Sequence, residues 1–222
     1  MNKTHGGNVW QVSKETGLSH QDIIDFSSSI NPLGMSKKAI AALKEIHKII
    51  PSYPEPSAFD ARQELSRFHN ISVENILAGN GSTEFIYLIP QVFKPKKALI
   101  IEPAFSEYRR SLELSGCKVF EFILREKDGF LLDENALMER LRRRHYSLLY
   151  IGNPSNPLGA LLKKDLLIRL ANVCRQRKTV MVVDEELTRD ADDAQSADVE
   201  AATNEHDEEL TEEARAERRR NE

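Results

Sequence analysis

Apolar positions follow a helical period in the first third of the chain, then alternate with short continuous apolar runs. Over residues 36–50, Ile40, Leu43, Ile46 and His47 recur at helical spacing behind a Ser cap, which predicts a helix ending at Pro51. Pro54 and Pro56 stiffen an extended loop through Ser57. A second helix is expected over 58–69, with Phe59, Leu65 and Phe68 on one side. The short apolar run Ile76-Leu77-Ala78 leads into Gly79-Asn80-Gly81-Ser82-Thr83 and then an apolar helix through Phe93. From there the pattern is regular. Strands are expected over 97–101, 118–124, 147–151 and 179–183. Between them lie a helix carrying Phe105, Tyr108 and Leu112 and helices over 133–145 and 163–177. Apolar strands separated by helices predict an α/β fold with a mostly parallel sheet between helices. In such sheets ligands bind at the carboxyl ends of the strands.

Charge changes this picture at one end. The 222 residues carry 31 Lys+Arg and 35 Asp+Glu, a formal net charge of −4, which argues against a dedicated nucleic-acid binder. Residues 188–222, however, hold 13 acidic and 5 basic residues with one Leu and one Val, and no aromatic, Gly or Pro. So little apolar surface cannot repay the entropy of ordering, so a disordered or solvated helical acidic tail is expected. No run of about 18 apolar residues occurs, which predicts no membrane span. The first ten residues lack the apolar core of a signal peptide, and a cytoplasmic protein is expected. Cys117 and Cys174 lack metal-ligand spacing and read as reduced core thiols.

The residues with chemical potential follow the strand ends. Gly81, Ser82 and Thr83 open a helix, where free N–H groups and two hydroxyls could cradle a phosphate; a Gly turn with a Ser cap would look the same. Asn153-Pro154-Ser155-Asn156-Pro157-Leu158-Gly159 holds an amide side chain in a rigid double turn. Asp184 ends the last strand, as a metal ligand, a helix cap or a partner for a cationic ring nitrogen.

Together with Pro103-Ala104-Phe105-Ser106-Glu107-Tyr108, these motifs occur in an order that resembles the fold-type I pyridoxal-phosphate enzymes, in the branch of histidinol-phosphate aminotransferase. His5-Gly6-Gly7-Asn8 and the stretch from Asp25 through Asn31 to Gly34 are most similar to the threonine-phosphate decarboxylase family. The resemblance spans residues 5 to about 186. It implies an aminotransferase-type large domain that decarboxylates L-threonine-O-3-phosphate to aminopropanol phosphate for cobalamin biosynthesis, with pyridoxal 5'-phosphate as cofactor. An N-terminal arm would cover 1–35, the large domain 36–187 and the acidic tail 188–222.

The same resemblance implies residue roles. Gly81, Ser82 and Thr83 would hold the cofactor phosphate, Phe105 would stack on the pyridine ring, and Asn156 would bind its phenolic oxygen. Asp184 would keep the ring nitrogen protonated. Tyr53 would reach the phosphate in a neighbouring subunit of a homodimer, and Gly6, Gly7, Asn8 and Asn31 would bind a phosphorylated amino acid. Tyr108 is expected to be a core aromatic.

The pattern also breaks. The family's Schiff-base lysine follows the Asp184 position, yet no lysine occurs after Lys178, and Arg cannot take its place. Glu186-Leu187 stand where the family has an aromatic, and its small domain with substrate-clamping arginines is not in the sequence. A truncated, frameshifted or fused frame is expected, in which the large domain is incomplete, no catalytic residue is present and any cofactor is held non-covalently. Three readings stay open: an inactive piece of the decarboxylase, a piece of a histidinol-phosphate aminotransferase-like enzyme, and a non-catalytic pyridoxal-phosphate- or phosphate-binding interaction protein.

Overall fold

Helix signals near the N-terminus begin with a cap rather than with an apolar run. In the computed structural model, which describes residues 6–28, 30–31 and 33–185, Asn8 caps the helix α1 (Val9–Thr16), its Oδ1 accepting the Gln11 N–H at 3.2 Å. Gly17 closes it at a φ of 74°. The first of two compact units (Met1–Ile76) also holds α2 (Lys37–Lys44) and α3 (Phe59–His69). Ser36 caps α2 as its sequence suggests, its hydroxyl accepting the Ala39 N–H. The helix expected over 36–50 is shorter than its pattern. At Glu45 the N–H turns to Ala42 and Leu43, and a single tight turn (Ile46–Lys48) follows. The approach to Pro51 through two β-branched residues, Ile49 and Ile50, disfavours continued α geometry.

The second unit (Leu77–Glu222) contains the sheet. Its described elements run α4 (Ser82–Phe93), β1 (Lys97–Glu102), α5 (Ser106–Leu114), β2 (Lys118–Ile123), α6 (Glu134–Arg143), β3 (Leu148–Gly152), α7 (Lys164–Gln176) and β4 (Val180–Asp184). All described strand pairs are parallel, in the order β2-β1-β3-β4, so each strand boundary lies within a residue of its expected place. Residues 186–222, including the acidic segment, lie outside the described residues.

Period-2 alternation splits the core between the two faces of the sheet. Leu99, Leu149 and Ile151 pack with Leu137, Met138 and Leu141 of α6 and Leu166, Leu170 and Val173 of α7. Ala98, Ile100, Leu148 and Tyr150 point the other way, with Ile86 of α4 and Tyr108 and Leu112 of α5. One irregularity ties the second face together. Pro90 lies inside α4 and has no N–H to give Ile86, four residues earlier. The Tyr150 hydroxyl donates to that Ile86 carbonyl instead, at 3.1 Å.

Cys117 and Cys174 are buried and form no disulfide, as expected of core thiols. Burial raises both, Cys174 to about 11 from an ordinary 9.0. The folded chain therefore favours the neutral thiol. The stability this contributes is present below pH 9 and falls as pH rises from there towards 11. At pH 8, Cys174 should react with a thiol reagent about a hundredfold more slowly in the native chain than in urea, two pKa units costing a hundredfold in thiolate. Comparable rates in a labelling time course would contradict its burial.

Candidate functional site

Helix α4 runs back towards β1, so its N-terminus lies at the carboxyl end of the sheet, where β1, β3 and β4 also deliver their last residues. That end collects six of the expected site residues: Gly81, Ser82, Thr83, Phe105, Asn156 and Asp184. Gly81 precedes α4 at a φ of 80°, a left-handed conformation that favours glycine, and a Cβ there would meet nothing within 4 Å. The Ser82 Oγ that follows is buried without a hydrogen-bond partner. First-turn N–H groups of a helix have no partner within it, so Ser82 and the exposed Thr83 present donors to whatever binds there. Glu84 turns its carboxylate back to accept the Asn80 N–H at 2.5 Å.

Phe105 follows β1 and sits, half-buried, at the cap position of α5, its ring edge-on to Tyr108 at 5.8 Å. After β3 the chain makes its double turn. Asn153 is buried and structural: its Oδ1 accepts the Leu162 N–H at 2.7 Å, and this bond closes the loop. Asn156, three residues on, is half-buried and lines a cavity of about 270 Å³ together with Pro103, Tyr108, Leu131, Gly152 and Ser155.

Asp184 ends β4 opposite Gly152 of β3. Its carbonyl accepts the Asn153 N–H at 2.8 Å, which locks the strand end to the loop. Its Oδ2 accepts the Tyr108 hydroxyl at 2.7 Å, and that ring stacks on Tyr150 at 4.9 Å and 6°. A Cβ on Gly152 would come within 3.1 Å of the Tyr108 oxygen, so glycine leaves the hydroxyl its room. Burial, with the Asp184 charge adding to it, raises Tyr150 well above the ordinary phenol range. Tyr108 is thus the core aromatic the sequence suggests, at 3% exposure, but its hydroxyl also reaches Asp184 at the end of β4. The i, i+3 spacing from Phe105 on a helix that starts at a strand end was the available signal.

The remaining expected residues belong to the first unit. The Gly7 N–H donates to Ser27 Oγ at 2.8 Å, and a Cβ on Gly6 would strike the Ser27 carbonyl at 1.7 Å, so only glycine fits there. Asp25 accepts the Ser27 and Ser28 hydroxyls, and the bond from Ser27 leads those that lower its pKa. Asn8 and Asn31 both use their side chains locally, the first as the α1 cap and the second in a turn with Leu33 and Gly34. Tyr53 is fully exposed.

Residues 21–198 match the family model described as aminotransferase class I and II, a match that continues past Glu186. The chain belongs to this family. Members of the aminotransferase class I and II family are pyridoxal-phosphate enzymes. Threonine-phosphate decarboxylase of Salmonella typhimurium is 38% identical over 184 residues, 83% of this chain and 50% of that protein. Histidinol-phosphate aminotransferase of Ruminiclostridium cellulolyticum is 33% identical, over 60% of this chain and 37% of its own length. The solved L-threonine-O-3-phosphate decarboxylase of Porphyromonas gingivalis superposes with a TM-score of 0.62 at 28% identity, covering 75% of this chain and 47% of that one. The chain thus spans about half the length of the relatives it matches, or less.

Proposed function

We propose that the carboxyl end of this sheet is a pyridoxal 5'-phosphate site and that it serves the decarboxylation of L-threonine-O-3-phosphate. The observation that carries this reading is Asp184, a carboxylate fixed at a parallel strand end on the same side of the sheet as an unpartnered, buried Ser82 hydroxyl at a helix N-terminus. A ring nitrogen and a phosphate are the two ends of one molecule that such a pair would hold.

Each residue has a defined task in this reading. Ser82, Thr83 and the Gly81 backbone donate to the phosphate, with the α4 dipole favouring its charge. Phe105 offers an apolar face to the ring. Asn156 donates to the phenolic oxygen. Asp184 has Oδ1 left to accept a proton-bearing ring nitrogen while Oδ2 stays with Tyr108. When bound, the cofactor supplies an electron sink for a carbanion formed on the substrate's α-carbon. Gly6, Gly7, Asn8 and Asn31 bind the phosphorylated substrate, which requires Asn8 and Asn31 to exchange their local partners for it. Tyr53, fully exposed, reaches the cofactor phosphate of a second subunit in a homodimer.

The decarboxylase reading is supported over the aminotransferase by the higher identity, 38% over 83% of this chain against 33% over 81% for the histidinol-phosphate aminotransferase of Symbiobacterium thermophilum. These 222 residues contain no lysine beyond Lys178. On their own they hold the cofactor reversibly and do not turn over substrate. Titration with pyridoxal 5'-phosphate, followed by absorbance, should give saturable binding that inorganic phosphate displaces, with pyridoxal binding at least tenfold more weakly. Equal affinity for the two would remove the α4 cradle from the reading.

A further inference from the structure

We infer that Tyr108 and Tyr150 form a strut that fixes the distance between Asp184 and the N-terminal half of α4. This rests on the cofactor reading, because those are the proposed anchors for the two ends of one rigid ligand. The strut has three joints. Tyr108 gives its only proton to Asp184 Oδ2 at 2.7 Å. The Tyr108 and Tyr150 rings lie nearly parallel with centroids 4.9 Å apart. The Tyr150 hydroxyl then reaches the Ile86 carbonyl at 3.1 Å.

The last joint exists because of Pro90. In an unbroken helix the Ile86 carbonyl would accept the N–H of residue 90, and α4 would touch Tyr150 by packing alone. Proline frees that acceptor inside a buried face, where an unpaired carbonyl is costly, so the Tyr150 hydroxyl is drawn to one place on α4. Four residues separate Ile86 from Ser82, about one turn. Both rings are at most 3% exposed, and Gly152 supplies the clearance that keeps the Tyr108 oxygen on Asp184. Phenylalanine at either position would fill the same space without either link. A rigid strut matters for a ligand held at both ends, since misplacing one anchor forfeits the advantage of holding the other.

The test uses the 222-residue chain with pyridoxal 5'-phosphate and inorganic phosphate as probes. Tyr108→Phe and Tyr150→Phe should each weaken pyridoxal 5'-phosphate about tenfold while inorganic phosphate, which needs only α4, binds within twofold of the parent. Adding Pro90→Ala to Tyr150→Phe gives Ile86 a backbone donor again. It should restore resistance to urea but not cofactor affinity. Recovery of both would mean that Tyr150 merely satisfies a carbonyl, and the strut would be wrong. A second readout needs no cofactor. Asp184→Ala, which removes the acceptor, and Tyr150→Phe, which the strut joins through Tyr108, should be non-additive in urea melts of the free chain, whereas additivity within error would overturn the inference. If the parent chain binds no pyridoxal 5'-phosphate, the cofactor reading fails, and the double-mutant coupling still decides the strut.

Discussion

Leu149→Ala should destabilise the chain by about 2–5 kcal/mol, the largest effect on stability expected from a single side chain here. Leu149 lies on β3, an interior strand paired to Leu99 of β1 on one side and to Met181 of β4 on the other. Its side chain has no exposed surface and packs in the cluster formed with α6 and α7. The backbone on both sides is held by sheet hydrogen bonds, so the site cannot collapse to fill the space, and the loss includes a cavity as well as burial. Leu131 is the control: it is 77% exposed, and its replacement by Ala should change stability by less than about 0.5 kcal/mol. Urea melts of the two variants separate these outcomes. A cost below about 1 kcal/mol for Leu149→Ala would mean that the α6–α7 face is not the packed core described.

Asp184→Asn should weaken pyridoxal 5'-phosphate binding by roughly 10–100-fold, the largest effect on the proposed site. The amide keeps the shape and can still accept the Tyr108 hydroxyl, and the β4 carbonyl still accepts the Asn153 N–H, so the strand end stays in place. What is lost is the negative charge that favours a protonated ring nitrogen, and a hydrogen bond to a charged group contributes more than a neutral one. Inorganic phosphate should bind as before. Tyr150 provides an independent check, because Asp184 is the second cause, after burial, of its raised pKa. Its ionisation should move down in Asp184→Asn yet stay above that of an exposed tyrosine. Unchanged cofactor affinity in a calorimetric titration would take Asp184 out of the site.

The parallel sheet was legible because β1, β3 and β4 are short continuous apolar runs that only a doubly covered sheet can bury. α1 was not read, since Val9–Thr16 buries none of its residues and shows no apolar stripe. Its signals are chemical: Asn8 followed by Gln11 as a reciprocal cap, and Gly17 beyond the last turn. The shortening of α2 was hidden because apolar spacing continues through Ile46 while the backbone already tightens at Glu45. At the site, the order of motifs marked Ser82, Phe105, Asn156 and Asp184. It could not reveal that Tyr108, 76 residues before Asp184, donates to it, or that Asn153 rather than Asn156 closes the loop. Those facts come from the strand register that brings β4 beside β3 and from the local closure of the loop, which motif spacing does not encode.

In the function proposed above, this chain holds the cofactor through Asp184 and the α4 N-terminus without a covalent anchor. Titration of the 222-residue chain with pyridoxal 5'-phosphate, borohydride reduction and intact-mass analysis test it most directly. The predicted result is saturable, phosphate-competed binding with no stoichiometric adduct at any one lysine. A stoichiometric adduct mapped to a single lysine, or no saturable binding at all, would contradict it.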